Sequence, residues 1–385
     1  FTIQQLQMFI KSMQTRLNKI LDKGSKDDVI NFEKLGIDRL YVDEAHNYKN
    51  LYFYSKLSRV PGVNSGSDTA KTLDLAMKVS YLNQLTNYKG VIFATGTPVS
   101  NSVSECYTMM KYLEPQILEQ NGFNNFDAWA TTFGEVTTAM ELAPEGNGFR
   151  MKQRFAKFYN VPELMKIFRE VSDIKVSEDL QLDVPEAERE TIVAKPSQDQ
   201  KRLMKDLSDR AKAIHQHIVD SSEDNMLKIT TDGRKIGLDP RLFDPNSFDD
   251  PESKVNLAVD KIYSIWTDTQ KDKLTQMVFC DFSVPGKEGF NVYDDMKNKL
   301  IAKGIPAEEI AFIHSANTDA KKEQLFSQVR AGNVRILFGS TAKMGEGTNC
   351  QDRLIALHHL DAPWKPSDVG RILRTFKIKK NVEVT

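Results

Sequence analysis

Two adjacent carboxylates, Asp43 and Glu44, end a short apolar run (Leu40, Tyr41, Val42) that emerges from the turn Gly36-Ile37-Asp38. A run of that length, rich in Tyr and Val and bounded by a turn, reads as a buried strand. Ligands of open α/β sheets bind beyond the carboxyl ends of such strands. An acidic pair there suits a phosphate-bound magnesium ion, which keeps most of its waters and takes one or two carboxylates. Asp43 would hold the metal through water, and Glu44 would polarise an attacking water. The same pair would also serve as an acidic helix N-cap. A second apolar run, Gly90 to Ala94, leads into Thr95-Gly96-Thr97-Pro98 and then Asn101. Glycine allows a sharp turn between the two hydroxyls, and Pro98 stands where a helix could begin. Beside the first strand such hydroxyls could relay the state of a bound phosphate. Alone, they fit an ordinary strand-turn-helix connection.

Later in the chain an apolar run at 334–339 enters Gly339-Ser340-Thr341-Ala342-Lys343-Met344-Gly345-Glu346-Gly347-Thr348-Asn349. Glycines on both sides of Glu346, then a hydroxyl and an amide, allow close backbone approach to a phosphate of DNA or of a nucleotide. A further strand, Leu354 to Leu360, precedes Asp361-Ala362-Pro363-Trp364-Lys365-Pro366 and then Gly370-Arg371-Ile372-Leu373-Arg374.

In this order and spacing the motifs resemble superfamily-two helicases and translocases of the Swi/Snf-like group. There a DEAH box, here Asp43 to His46, precedes a strand and a TGTP motif. A glycine-rich motif and an aspartate-tryptophan-proline segment follow. The family's last motif reads Gln-Arg-x-Gly-Arg-x-x-Arg. Here the Gln-Arg portion is absent before Gly370, and the residues after Arg374 (Thr375 to Lys380) depart from the pattern. More closely, the chain is similar to the helicase segment of very large phage and conjugative-element proteins, in which such a motor adjoins an adenine-specific DNA methyltransferase region. The resemblance runs from Phe1 to Arg374 and is strongest at 36–50, 90–101 and 336–374.

The resemblance implies an α/β fold of two RecA-like lobes, each a parallel sheet flanked by helices. The first lobe (1–195) would be truncated at its N-terminus, a helical insert and linker (196–253) would follow, and the second lobe would span 254–385. It implies ATP and Mg2+ as cofactors and DNA, double-stranded, as partner, with hydrolysis driving movement along the duplex. Asp43 and Glu44 would take the metal and the water. His46, Thr95, Gly96 and Thr97 would sense nucleotide and couple the lobes, and Gly345, Gly347, Asn349 and Gly370 would line the nucleotide or DNA face. Arg371 and Arg374 would be arginine fingers, because guanidinium forks stabilise charge on a transferring phosphoryl group. No Gly-x-x-x-x-Gly-Lys-Ser/Thr loop, whose amides and lysine cradle phosphates, stands before Asp43. The expectation is therefore a segment of a longer polypeptide, with that loop before Phe1, that hydrolyses ATP poorly by itself. A competing reading is a catalytically inactive DNA-binding or scaffolding module. A third is a metal-dependent hydrolase built on Asp43, Glu44 and His46.

Composition narrows the field. The chain's 385 residues give room for two or three domains. With 52 basic against 53 acidic residues, any nucleic-acid site must be a local patch. Cys106, Cys280 and Cys350 lie far apart, so neither a disulfide framework nor a zinc site is indicated. No apolar run approaches membrane-spanning length and no signal peptide opens the chain, so a cytoplasmic protein is expected.

The positioning elements are read from periodicity. Ile3, Leu6, Ile10, Met13, Leu17 and Ile20 predict an amphipathic helix, and 70–87 predicts another. Phe126, Trp129 and Phe133 are spaced as core. Tyr48 to Arg59 fits either a nucleic-acid-stacking stretch or a helix buried on one face. Arg150 to Tyr159 predicts a basic-aromatic helix, either DNA-facing or solvated. Thr191 to Ala194 predicts a strand closing the first lobe, and Met204, Leu207, Ala211, Ile214 and Ile218 the stripe of a long helix. Residues 243–253 read as a linker. Strands at 275–281, 310–314 and 334–339, separated by helices, predict a doubly wound parallel sheet, with His314 a hydrogen-bonded structural residue.

Overall fold

The computed structural model describes residues 32–57, 60–63, 69–99, 102–142, 149–176, 187–216, 218–220, 222–286, 289–344 and 348–361, the backbone of 382–384, and the isolated positions 7, 11, 14, 15 and 179. Of the expected N-terminal helix only Gln7, Lys11, Gln14 and Thr15 are described, each helical, and Asn101, Gly345, Gly347, Gly370, Arg371 and Arg374 lie outside the described residues. The chain divides into two compact units, 1–137 with 153–173, and 138–152 with 174–385.

In the first unit, β1 (Leu40–Val42), α1 (Ala70–Thr86) and β2 (Val91–Phe93) form a crossover that brings the two strands together in parallel. Thr69 caps α1 in a reciprocal box with Thr72, and Leu75, Val79 and Leu82 fall on one buried face. That face covers Val42 and Ala45 together with Tyr112. The opposite side of the strand pair carries Tyr41 and Ile92, partners in register, 71% and 44% exposed. Next come α2 (Ser104–Leu113), α3 (Pro115–Gln120) and α4 (Phe126–Phe133). Phe126, Trp129 and Phe133 are buried as their spacing predicts, around Phe53 and Tyr107. Phe53 stacks on Phe126 with ring centroids 4.4 Å apart. β3 (Gly134–Leu142) and β4 (Phe149–Phe158), of which 138–142 and 149–152 belong to the second unit, pair with each other, and α5 (Val161–Arg169) follows.

The second unit holds β5 (Ala187–Arg189), α6 (Gln198–His215), α7 (Met226–Leu238), α8 (Lys254–Asp268), β6 (Thr275–Phe279), α9 (Val292–Ala302), β7 (Ile310–Phe312), α10 (Asp319–Ala331), β8 (Ile336–Gly339), α11 (Thr341–Met344), β9 (Leu354–His359) and β10 (Val382–Val384). Its sheet runs β5-β10-β9-β6-β8-β7, every recorded pairing parallel. This agrees with the expected doubly wound sheet. All five residues of β6 are buried, as in parallel sheets covered on both faces. Val278 faces a core shared with Val255, Val259, Tyr293 and Met296 of α8 and α9. Met277 and Phe279 face the other, with Phe326 and Val329 of α10.

Under the amino ends of these strands lies Arg335, only 2% exposed. It donates to the carbonyls of Leu274 (3.0 Å) and Trp266 (2.8 Å) and to Thr269 Oγ1 (2.9 Å). Its guanidinium also sits 5.1 Å from the Trp266 ring centre. Residues 243–253 lack helix and strand, and they are pinned. Asp249 reaches Arg241 (3.2 Å) and Lys299 (2.7 Å), and Asp295 reaches the same two cations.

Several expectations give way. The basic-aromatic stretch is strand β4, because the β-branched run Val136-Thr137-Thr138 supplies a pairing partner, and exposure alternates at 149–153 with period two. Thr191 to Ala194 form no strand: Val193 is 80% exposed, Pro196 follows closely, and β5 at 187–189 joins the second unit's sheet. Past Tyr48 the chain is irregular rather than helical, because Asp127 captures the Ser55 hydroxyl at 2.6 Å and the Lys56 N–H at 3.1 Å. In α6 the buried residues are Leu203, Leu207 and Ala211, with Met204 half exposed and Ile218 beyond the helix end. The Nδ1 of His314 is buried without a hydrogen-bond partner, and its ring meets Tyr293 edge-on at 5.5 Å.

Candidate functional site

Asp43 and Glu44 follow β1 directly, and Thr95 to Thr97 follow β2, so parallel pairing alone places both loops at one carboxyl edge. The backbones are stitched beyond the strands. Ala94 N–H donates to Val42 O (2.9 Å), and Ala45 N–H donates to Ala94 O (3.1 Å). Glu44 adopts a left-handed conformation (φ 48°, ψ 44°) at the start of a short 3-10 helix, Ala45–Tyr48. Its N–H donates to Asp43 Oδ1 at 2.8 Å. Glu44 Oε2 lies 3.2 Å from His46 Nδ1, which lies 3.0 Å from Thr95 Oγ1. Thr95 Oγ1 also accepts the Thr97 N–H at 3.1 Å. Five expected site residues, Asp43, Glu44, His46, Thr95 and Thr97, therefore form one connected set. His46 is 5% exposed, whereas Asp43 is exposed.

Two details differ from expectation. Gly96 makes its turn without a left-handed φ, and a Cβ there would meet nothing within 4 Å. Pro98 does not begin the helix, because α2 starts at Ser104.

The donor set suits a magnesium ion held through water and phosphate, with Asp43 the exposed carboxylate and Glu44 beside it. It does not suit a caged metal. No group of three or more His, Cys, Asp or Glu side chains among the described residues could hold a metal ion. His46 turns its Nδ1 to Glu44 and Thr95, and so links the two loops.

Sequence reasoning missed the tie behind this set. Lys49 Nζ meets Glu105 Oε1 at 2.9 Å, both side chains buried (7% and 0% exposed). No local signal marks it, because lysine and glutamate are ordinarily exposed.

Another buried acid lies in the same unit. Glu114, between α2 and α3, has no exposed surface, and neither carboxylate oxygen has a hydrogen-bond partner. Burial, and then Glu170, push its carboxyl up to about 8. A raised carboxylate pKa favours the protonated folded form. The stabilising effect is therefore complete below the ordinary value of 4.5 and is lost as pH rises towards about 8. Glu114→Gln, which stays neutral, is expected to add about 1–3 kcal/mol at pH 8.5 and little at pH 4. Urea unfolding midpoints of both proteins at the two pH values check this.

At the carboxyl edge of the second unit's sheet, Asp361 accepts the N–H groups of Asp281 (2.8 Å) and Phe282 (2.9 Å), and Asp281 Oδ1 accepts Thr341 N–H (2.7 Å). Burial, followed by the like charge of Asp281, holds the Asp361 carboxyl above its usual range. These bonds fix the start of the 339–349 loop. Asn349, exposed on its far side, is tied through its carbonyl to Arg330 at 2.5 Å. Cys106 and Cys350 are buried thiols pushed up to about 12 by burial, so neither is a nucleophile near neutral pH.

No helix among the described residues is long and apolar enough to cross a membrane. Residues 3–176 match a protein-family model described as a probable helicase domain. The chain is 26% identical over 187 residues to "Defense against restriction protein B" of Escherichia phage P1; the match covers 47% of this chain and 8% of that protein. Among solved structures it is similar to the DUF1998 helicase MrfA bound to DNA, at 11% identity and a TM-score of 0.25, over 33% of this chain and 18% of that one. It is also similar to the C-terminal part of the Fun30 ATPase domain, at 12% identity and a TM-score of 0.37, over 52% of this chain and 84% of that one. The first half of the chain is thus helicase-like, on a mixed α/β fold with parallel sheets.

Proposed function

We propose that the chain is the motor segment of a DNA-dependent ATPase of the Swi/Snf-like type, its units RecA-like, working within a longer polypeptide. The observation that carries this is the linked set Glu44–His46–Thr95 at the carboxyl ends of two parallel strands, inside the stretch that matches a helicase domain. When bound, Mg2+ and ATP supply the polarised phosphoryl group and its charge. Asp43, exposed at the strand end, would hold the metal. Glu44 would accept a proton from the attacking water, with its Oε2 held 3.2 Å from His46 Nδ1. His46 bridges Glu44 to Thr95, so the state of the acid is felt on the second loop. Asn349 and the fixed junction of β8 and α11 at Ser340–Thr341 offer the second unit's carboxyl edge to phosphate. Gly345, Gly347 and Gly370, with Arg371 and Arg374 as arginine fingers, keep their proposed parts.

The test is magnesium-dependent ATP hydrolysis by the polypeptide that carries this segment, with and without duplex DNA, alongside DNA binding across a salt series. DNA-stimulated hydrolysis is the expected result. Salt-sensitive DNA binding with no hydrolysis would overturn the motor and favour the inactive DNA-binding module.

A further inference from the structure

We propose that Lys49 and Glu105 are a positioning pair that sets Glu44 against Thr95. This inference rests on the motor reading. Lys49 is the residue on which the 3-10 helix Ala45–Tyr48 ends, six positions after Asp43. Glu105 lies in the first turn of α2, the helix into which the Thr95–Thr97 loop leads. Each site loop thus has an anchored start, at the β1–β2 ladder, and an end that needs holding. The 2.9 Å Lys49–Glu105 contact joins those two ends, with both side chains nearly or wholly removed from water. Nearer the strands, the loops already meet through Ala45 N–H to Ala94 O and through His46 to Thr95.

The result is a closed frame: strand pairing on one side, the buried ion pair on the other, and the Glu44–His46–Thr95 chain between them. A buried ion pair contributes little net stability compared with apolar residues of the same size. What it supplies is a short charge contact between two fixed points of the chain. Apolar substitutes would fill the space without fixing the distance. Second anchors keep the frame from folding elsewhere: Tyr112 Oη donates to Tyr48 O at 3.2 Å, and Lys111 Nζ donates to Tyr52 O at 3.2 Å. The 3-10 helix and α2 therefore stay adjacent when the pair is removed, and only their registration loosens.

The experiment compares wild type, the apolar pair Lys49→Met with Glu105→Met, and the exchanged pair Lys49→Glu with Glu105→Lys, in the polypeptide that carries this segment. It reads kcat and KM for ATP, and the imidazole NMR signal of His46, one of the segment's six histidines. The expected result for the apolar pair is a kcat about 10- to 100-fold lower at nearly unchanged KM, as for a reacting group displaced by an ångström or less. Its His46 signal should shift, and the exchanged pair should recover both readouts in part. Wild-type kcat and an unmoved His46 signal in the apolar pair would overturn the proposal. So would equal losses in the apolar and exchanged pairs with His46 unmoved. A wild-type protein that hydrolyses no ATP would sink the motor reading alone, and the His46 signal would then decide whether the frame exists.

Discussion

Glu44→Gln is expected to lower magnesium-dependent ATP hydrolysis about 10²–10⁴-fold, the range for losing a positioned general base. Glutamine matches glutamate in size and keeps the same backbone demand. Its amide can still meet His46 Nδ1, now 3.2 Å from Glu44 Oε2. What it cannot do is take a proton from water. The loss should therefore appear in single-turnover hydrolysis, with nucleotide affinity held within about threefold, less than 1 kcal/mol. Hydrolysis at the wild-type rate would remove Glu44 from the chemistry, whatever the fate of the rest of the site.

Arg335→Ala is expected to destabilise the second unit by about 3–5 kcal/mol, the range for removing one member of a buried polar network. The guanidinium is held by two carbonyls and a hydroxyl, and stands over the Trp266 ring. Alanine leaves the Leu274 and Trp266 carbonyls without that donor and opens a space the size of the side chain. Glu309, 3.9 Å from Arg335, keeps a second tie through the Trp266 Nε1–H at 2.7 Å, so the loss is centred on the carbonyls rather than on an abandoned charge. Arg335→Met should recover the packing part only. Urea unfolding of the three proteins separates the two contributions, and an alanine variant of wild-type stability would show that the network does not matter. The residue lies under the amino ends of the strands, so a stability change with the carboxyl-edge loops intact is the expected pattern.

The sequence disclosed those features whose cause is local. Asp43-Glu44 after an apolar triplet and the hydroxyls after a second one were placed correctly at strand ends, because strand length and turn residues are written in neighbouring positions. The alternation of apolar strands with helices likewise foretold the second unit's parallel sheet. Features set by distant partners were hidden. Lysine and arginine are ordinarily exposed, so nothing near Lys49 or Arg335 announced that each would be buried against residues far along the chain. Residues 149–158 misled for a related reason. Cations and aromatics at mixed spacing suit a helix as well as a strand, and only the pairing with β3 decides. Thr191 to Ala194 failed in the opposite sense, having strand composition but no place in a ladder.

The left-handed backbone of Glu44 has a thermodynamic corollary. Outside glycine and asparagine that conformation is unfavourable by about 1–2 kcal/mol, so the acid occupies a spot its own chain geometry resists. Swapping it for glycine should relax the segment while stripping away the carboxylate. On the proposed motor reading, robustness and turnover are in opposition at this position, and a screen selecting for thermal endurance alone would drift towards an inert protein.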